Sequence, residues 1–117
     1  MERHDIPKCL VDIRTSINSI ESYLTEQMGE LRDFNLYKQK KSLRRSVERE
    51  LEIIGEATNR ILKTSPAFEI SNARKIIDLR NWVIHAYDNV NDTVIWGIVT
   101  NHLPLLKAEV DRLLGEQ

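Results

Sequence analysis

The stretch LRRSVERELEIIGEATNRI, residues 43–61, decides the fold class. Its apolar residues recur at intervals of three and four, which places them on one face of an α-helix. They are Leu43, Val47, Leu51, Ile54, Ala57 and Ile61. The pattern predicts a long amphipathic helix that ends before the KTSPAF segment, where Ser65 and Pro66 interrupt it.

An earlier segment has the same periodicity. Asp5 and Pro7 suit the start of a helix, as an N-cap and an early-turn proline. Gly29 and the polar GELRDFN segment predict its end. Its apolar positions are Ile6, Leu10, Ile13, Ile17, Ile20, Leu24 and Leu31. The sequence therefore predicts two long helices before residue 65.

Two more helices are predicted towards the C-terminus. Ser71 or Asn72 can cap the third, and the segment DNVND ends it. Its inward positions are Ile76, Leu79, Val83 and Ile84. Asn91 or Asp92 can cap the fourth, which Pro104 should kink or divide.

No strand-like alternation, internal repeat or low-complexity segment appears in the sequence. Short connections make sequential helices antiparallel neighbours. We therefore expect an all-α, up-and-down bundle of four to five helices, formed by residues 1–117 as a single domain and assembled as a dimer. A chain of 117 residues is long enough for a core without disulfides or metal.

Composition limits the classes of function. Seventeen basic and eighteen acidic side chains give a net charge of −1, so no global field attracts nucleic acid or anionic membranes. The single cysteine, Cys9, cannot form an internal disulfide and suggests a reducing compartment. No apolar run approaches the length of a membrane span, and the N-terminus lacks a signal-like apolar region. We expect a cytoplasmic protein without membrane contact.

Two charged residues fall on predicted apolar faces. Glu50 lies within the stripe of the second helix, and Arg80 within that of the third. A buried charge requires a partner, so we expect a structural ion pair between Glu50 and Arg80. Glu56 is the alternative partner of Arg80. Equally, the stripe could bend or face a second subunit, and both charges would then reach water.

Basic residues also form a pattern. Lys38, Lys41, Arg45 and Arg49 follow at offsets of three, four and four along the second helix. The simpler interpretation is a solvated helix face whose positive charge is balanced by Glu52 and Glu56. The functional interpretation is a weak RNA-binding track that contacts phosphates.

The segment RNWVIHAY, residues 80–87, collects polar side chains in an otherwise apolar helix. Imidazole titrates near neutral pH, and the planar guanidinium suits phosphate oxygens. His85 and Arg80 are therefore candidates for RNA cleavage, with His85 moving a proton and Arg80 stabilising the phosphate. One histidine cannot act as acid and base at once, which favours a symmetric dimer with two copies of His85 in one cleft.

The geometry of that pair leaves alternatives open. On an ideal helix Arg80 and His85 point to different sides. Either the helix loosens near Ile84, or the arginine wraps around it, or the two residues act on different neighbours.

Metal and cofactor signals are weak. His4, His85 and His102 are scattered, no ligand pair has zinc spacing, and the four glycines are isolated. We expect neither a metal site nor a cofactor.

The motif has a family resemblance. Arg80, four residues, His85, one residue and Tyr87 match the RX4HXY signature of the HepT-like branch of the HEPN superfamily. The segment RELEIIGEATNRI, residues 49–61, resembles the second-helix segment of that family, and VIWGIV and HLPLL resemble its last helices. The resemblance covers nearly the whole chain.

This resemblance implies a metal-independent endoribonuclease toxin of a toxin–antitoxin system, with Arg80 and His85 as catalytic residues at a homodimer cleft. It implies a minimal nucleotidyltransferase antitoxin as partner, which silences the toxin by transferring AMP to Tyr87. The family pattern places a polar residue after the arginine, and here Asn81 fills that position and could orient His85 or touch the phosphate. HEPN domains also serve as non-catalytic helical interaction modules, so binding of a nucleotidyltransferase without catalysis is the alternative.

Overall fold

The computed structural model describes residues 5–30, 32–86 and 92–115, without the side chains of residues 79, 80 and 82–86. The described residues contain six α-helices. They are α1 (Ile6–Met28), α2 (Phe34–Gln39), α3 (Lys41–Thr64), α4 (Ser71–Ala86), α5 (Asp92–Gly97) and α6 (Leu103–Gly115). A π-helical segment (Ile98–His102) joins α5 to α6 without a break, so the described chain has five continuous helical segments. The predicted all-α bundle is confirmed.

The core lies mainly between α1 and α3. All six predicted apolar positions of α3 are buried, and so are those of α1 from Ile6 to Leu24. Leu31, the last predicted member of the α1 stripe, lies outside the described residues. The helix ends where expected because Gly29 takes φ 61°, and its N–H donates to the Thr25 carbonyl at 2.8 Å.

The short helix α2 was not predicted. The Asp33 carboxylate accepts a hydrogen bond from the Asn35 N–H at 2.7 Å, which caps the helix start within the GELRDFN segment. The completely buried Tyr37 anchors α2 to the bundle. Lys40, at φ −104° and ψ 85°, then separates α2 from α3.

The expected interruption near Pro104 takes the form of the π-helical segment. Proline lacks an N–H and cannot complete the regular α-helical ladder. The wider π turn ends at His102, directly before the first turn of α6 that contains Pro104. The Thr100 hydroxyl donates to the Trp96 carbonyl at 2.8 Å in the same region. Within the described ranges, no helix is both long and apolar enough to cross a membrane.

Candidate active-site helix and its surroundings

Helix α4 carries most of the sequence motif, and α6 holds its first turn. The Glu109 carboxylate accepts hydrogen bonds from the Ser71 hydroxyl at 3.2 Å and from the Asn72 N–H at 3.1 Å. Ser71 and Asn72 were predicted as caps, yet both belong to the helix, and the free N–H is satisfied from a different helix. The negative carboxylate also complements the positive end of the α4 dipole.

The motif positions 80, 81 and 85 all lie on α4, whose backbone is described through Ala86. Position 85 comes five residues after position 80, a rotation of about 140° around the axis of an ideal α-helix. Asn81 is exposed. The side chains of Arg80 and His85, and the whole of Tyr87, lie outside the described residues.

Helix α4 runs back along α3. A short link, residues 65–70, joins the end of α3 to the start of α4, and the Ile77 side chain lies beside Gly55. At the other end, Arg44 near the start of α3 bonds Asp92, the first residue of α5. The C-terminal half of α4, with Arg80 and His85, is therefore at the same end of the bundle as Arg44 and α2.

At that end, polar groups are enclosed between α2, α3 and α5. Arg44 Nη1 donates to Asp92 Oδ2 at 3.1 Å, and both side chains are about three-quarters buried. Arg44 Nε and the Tyr37 hydroxyl are buried and have no hydrogen-bond partner among the described residues. The Tyr37 ring packs on Trp96 with centroids 4.9 Å apart.

Burial raises the pKa of two side chains in this cluster. It raises the pKa of the Tyr37 hydroxyl well above its ordinary value, and the charges of Glu48 and Asp92 add to the effect. Burial also raises the pKa of Glu48, with repulsion from Asp92 adding to it and attraction to Arg44 opposing it. The enclosed site favours the neutral forms of both side chains, and the neutral Tyr37 hydroxyl can donate a hydrogen bond.

The chain matches a family of known proteins across most of its length. The family model described as "Ribonuclease HepT-like" matches residues 13–113. The chain belongs to the HepT-like ribonuclease family. The match includes α4 and all of RNWVIHAY, so the motif of this HepT-like chain occurs within the matched region.

Curated relatives of the HepT-like chain carry matching names. "Putative RNase MJ1380" of Methanocaldococcus jannaschii is 31% identical over 113 residues, covering 95% of this chain and 98% of that protein. "Putative RNase MJ0125" of the same organism is 26% identical, covering 99% and 97%. "Putative RNase TTE0752" of Caldanaerobacter subterraneus subsp. tengcongensis is 32% identical over 79 residues, covering 64% and 68%. No solved structure matches this chain significantly.

The expected partner of Glu50 in the HepT-like chain lies outside the described set, because the Arg80 side chain is not part of it. The described contact of Glu50 is with α1, where the Tyr23 hydroxyl donates to Glu50 Oε2 at 3.3 Å. Glu56, the alternative partner predicted for Arg80, accepts a hydrogen bond from Arg60 at 3.2 Å. The Glu50–Arg80 pair remains a prediction.

The basic residues of the HepT-like chain are divided between two helices. Lys38 lies on α2, whereas Lys41, Arg45 and Arg49 lie on α3, and all four are exposed. The prediction that one helix carries all four residues was therefore wrong, because the non-helical residue Lys40 separates α2 from α3. Lys38 Nζ lies 5.0 Å from the centre of the Phe34 ring.

Sequence reasoning missed two features that position α4. Glu109 lies 37 residues from Asn72 and Asp92 lies 48 residues from Arg44, so neither contact leaves a local signal. Asp92 was considered only as a helix cap. Among the residues that the structure describes, no cluster of three or more histidine, cysteine or acidic side chains has the geometry of a metal site.

Proposed function

We propose that this protein is a metal-independent endoribonuclease toxin of a toxin–antitoxin system that acts in the cytoplasm. The observation that carries the proposal is the Arg80, His85 and Tyr87 motif inside the region that matches the HepT-like ribonuclease family. The names of the curated relatives agree with cleavage of RNA.

The proposed reaction uses the 2′-hydroxyl of the RNA itself. His85 removes the proton of that hydroxyl, and the 2′-oxygen attacks the adjacent phosphorus. The bond from phosphorus to the 5′-oxygen breaks, and that oxygen receives a proton from the second imidazole. Arg80 stabilises the negative charge of the crowded phosphate, and Asn81 orients His85. The products are a 2′,3′-cyclic phosphate and a 5′-hydroxyl end.

Two proton transfers at one phosphate favour a homodimer. A single His85 cannot donate and accept a proton simultaneously, whereas a two-fold axis supplies a second copy to one cleft. The rotation of about 140° between positions 80 and 85 agrees with this arrangement, because residues on opposite sides of one helix can face different neighbours.

The partner in the proposal is a minimal nucleotidyltransferase antitoxin. It transfers AMP to the Tyr87 hydroxyl, forming a phosphodiester to the tyrosine oxygen and releasing pyrophosphate from ATP. The added nucleotide places a bulky anion two residues from His85. An anion there repels the RNA phosphate, which would silence cleavage.

The alternative is a non-catalytic helical interaction module that binds the nucleotidyltransferase. The net charge of −1 favours it, since many proteins that bind RNA carry an excess of positive charge.

RNA cleavage by the purified protein in excess EDTA tests the proposal. We expect cleavage by the parent, loss by at least about a hundredfold in His85→Ala and Arg80→Ala, and cyclic phosphate ends on the products. Lys75→Ala is the matched control, since it removes an exposed cation from the same helix. Absence of cleavage by a parent that carries no AMP on Tyr87, with retained binding of the antitoxin, would support the interaction module.

A further inference from the structure

The outer surface of α2 and α3 presents four exposed cations, Lys38, Lys41, Arg45 and Arg49, here called the basic face. The three on α3 follow at intervals of four residues, which places them on one side of the helix, about 6 Å apart along its axis. They lie opposite Leu43, Val47 and Leu51, which are buried in the core. The basic face therefore points away from the bundle.

Two carboxylates near the basic face have partners outside it. Glu56 accepts from Arg60, and Glu50 accepts from the Tyr23 hydroxyl. By contrast, Arg14, Arg32, Arg44 and Arg60 form ion pairs. Within the described ranges, no residue of the basic face forms a salt bridge. Lys38 contacts the Phe34 ring, which leaves its charge in place.

Positive charge is concentrated in the segment that forms α2 and the first half of α3. Residues 34–50 contain six lysines and arginines and two glutamates, although the whole chain has a net charge of −1. Like charges at i and i+4 destabilise a helix by repulsion. The Glu48 carboxylate attracts Arg45, yet among the described residues no member of this row forms a salt bridge. Such a row is more consistent with binding of a polyanion than with a solvated structural surface.

The basic face is at the motif end of the bundle. Arg44 lies between Lys41 and Arg45 on α3 and bonds Asp92, the residue that begins α5 after the motif helix. Positions 80 and 85 of α4 therefore lie near the N-terminal end of α3, where the basic face begins.

We propose that the basic face binds the phosphates of a single-stranded segment of the RNA substrate and leads it to the cleavage site on α4. This inference rests on the proposed ribonuclease function. Spacing of about 6 Å between cations is comparable with the step between phosphates of an extended strand. Contacts with phosphate carry no base information, so the face supplies affinity and leaves the choice of sequence to other residues.

The test is RNA binding by Lys41→Gln/Arg45→Gln/Arg49→Gln in a His85→Ala background, which keeps the RNA intact. The matched control, Lys8→Gln/Lys75→Gln/Lys107→Gln, removes the same charge from exposed positions on other helices. Binding of a fluorescent single-stranded RNA is measured across a range of salt concentrations. Circular dichroism and thermal unfolding confirm that each variant is folded.

We expect the basic-face variant to bind RNA at least about tenfold more weakly at low salt, and its salt slope to fall by about two, since each phosphate contact contributes about 0.7. The control should keep both values close to the parent. In the cleavage assay without His85→Ala, the basic-face variant should raise KM more than it lowers kcat.

Equally weakened RNA binding in both triple variants would show that the effect comes from the change in net charge alone, and it would overturn the inference. Unchanged RNA binding together with lost binding of the antitoxin would assign the basic face to the protein partner and also overturn it. Because the binding assay uses an inactive background, its result is independent of cleavage. A parent that binds RNA through this face but does not cut it would contradict only the proposed ribonuclease function.

Discussion

Arg44 on α3 and Asp92 at the start of α5 form an ion pair of 3.1 Å that connects segments 48 residues apart. The pair is largely enclosed, and it joins the first residue of α5 to α3. A mostly buried pair responds strongly to loss of one partner, because the other charge is left in a poorly solvated site.

Asp92→Asn should lower the free energy of unfolding by about 1–3 kcal/mol, as should Arg44→Met. The double variant should lose less than the sum of the two single changes. Urea denaturation measures each value. Arg14 and Asp111 provide the control, since their 4.0 Å pair is 42% and 49% exposed and should contribute at most about 0.5 kcal/mol. Full additivity at Arg44 and Asp92 would contradict the coupling.

Glu48 should make stability depend on pH in an unusual direction. Burial raises its pKa in the folded protein above the ordinary value of 4.5, so the folded state holds this proton more tightly than the unfolded state. Stability contributed by Glu48 is thus present below about pH 4.5 and is lost as the pH rises through the folded value.

Glu48→Gln removes the loss of stability that deprotonation of Glu48 causes at higher pH. We expect the variant to be more stable than the parent at pH 7, with the difference shrinking as the pH falls through the raised folded pKa of Glu48 and vanishing below about 4.5. Urea denaturation across pH 3.5 to 8 measures it. Glu26→Gln, on the exposed surface of α1, should show no comparable pattern. The prediction would be contradicted if the stability gain of Glu48→Gln over the parent were smaller at pH 7 than at pH 4.

The two tyrosines that contact α3 or its neighbours should respond differently to loss of the hydroxyl. Tyr37 is fully buried, and its hydroxyl has no partner among the described residues, whereas Tyr23 donates to Glu50. Tyr37→Phe should therefore leave stability unchanged or raise it by up to about 1 kcal/mol. Tyr23→Phe should lower it by about 0.5–1.5 kcal/mol. Thermal unfolding compares them, and a large loss in Tyr37→Phe would reveal a partner for that hydroxyl.

Glu109→Ala should weaken the start of the motif helix. It removes the acceptor of two hydrogen bonds and the negative charge at the N-terminus of α4. We expect a loss of about 1–2 kcal/mol and faster hydrogen exchange at the Asn72 amide. Glu109→Gln should recover part of the loss, because the amide oxygen still accepts a hydrogen bond. Unaltered exchange at Asn72 would show that another group caps α4.

The long helices were predictable because their signal is local and repeated. The six apolar stripe residues from Leu43 to Ile61 keep their spacing over about five turns, and each of the six is buried as the periodicity predicted. The short helix α2 escaped prediction because six residues cannot show a period. Its stability depends on burial of Tyr37 against Trp96, which lies far away in the sequence.

The same division applies to the candidate site. The amino-acid sequence by itself determined the all-α class, the ends of α1, and the motif residues Arg80, His85 and Tyr87, whose order and spacing are chemical information carried by the chain. Only the tertiary structure decided that Glu109 caps α4, that Arg44 donates to Asp92, and that the basic track divides between two helices. These contacts join residues far apart in the chain, and packing of the helices brings them together.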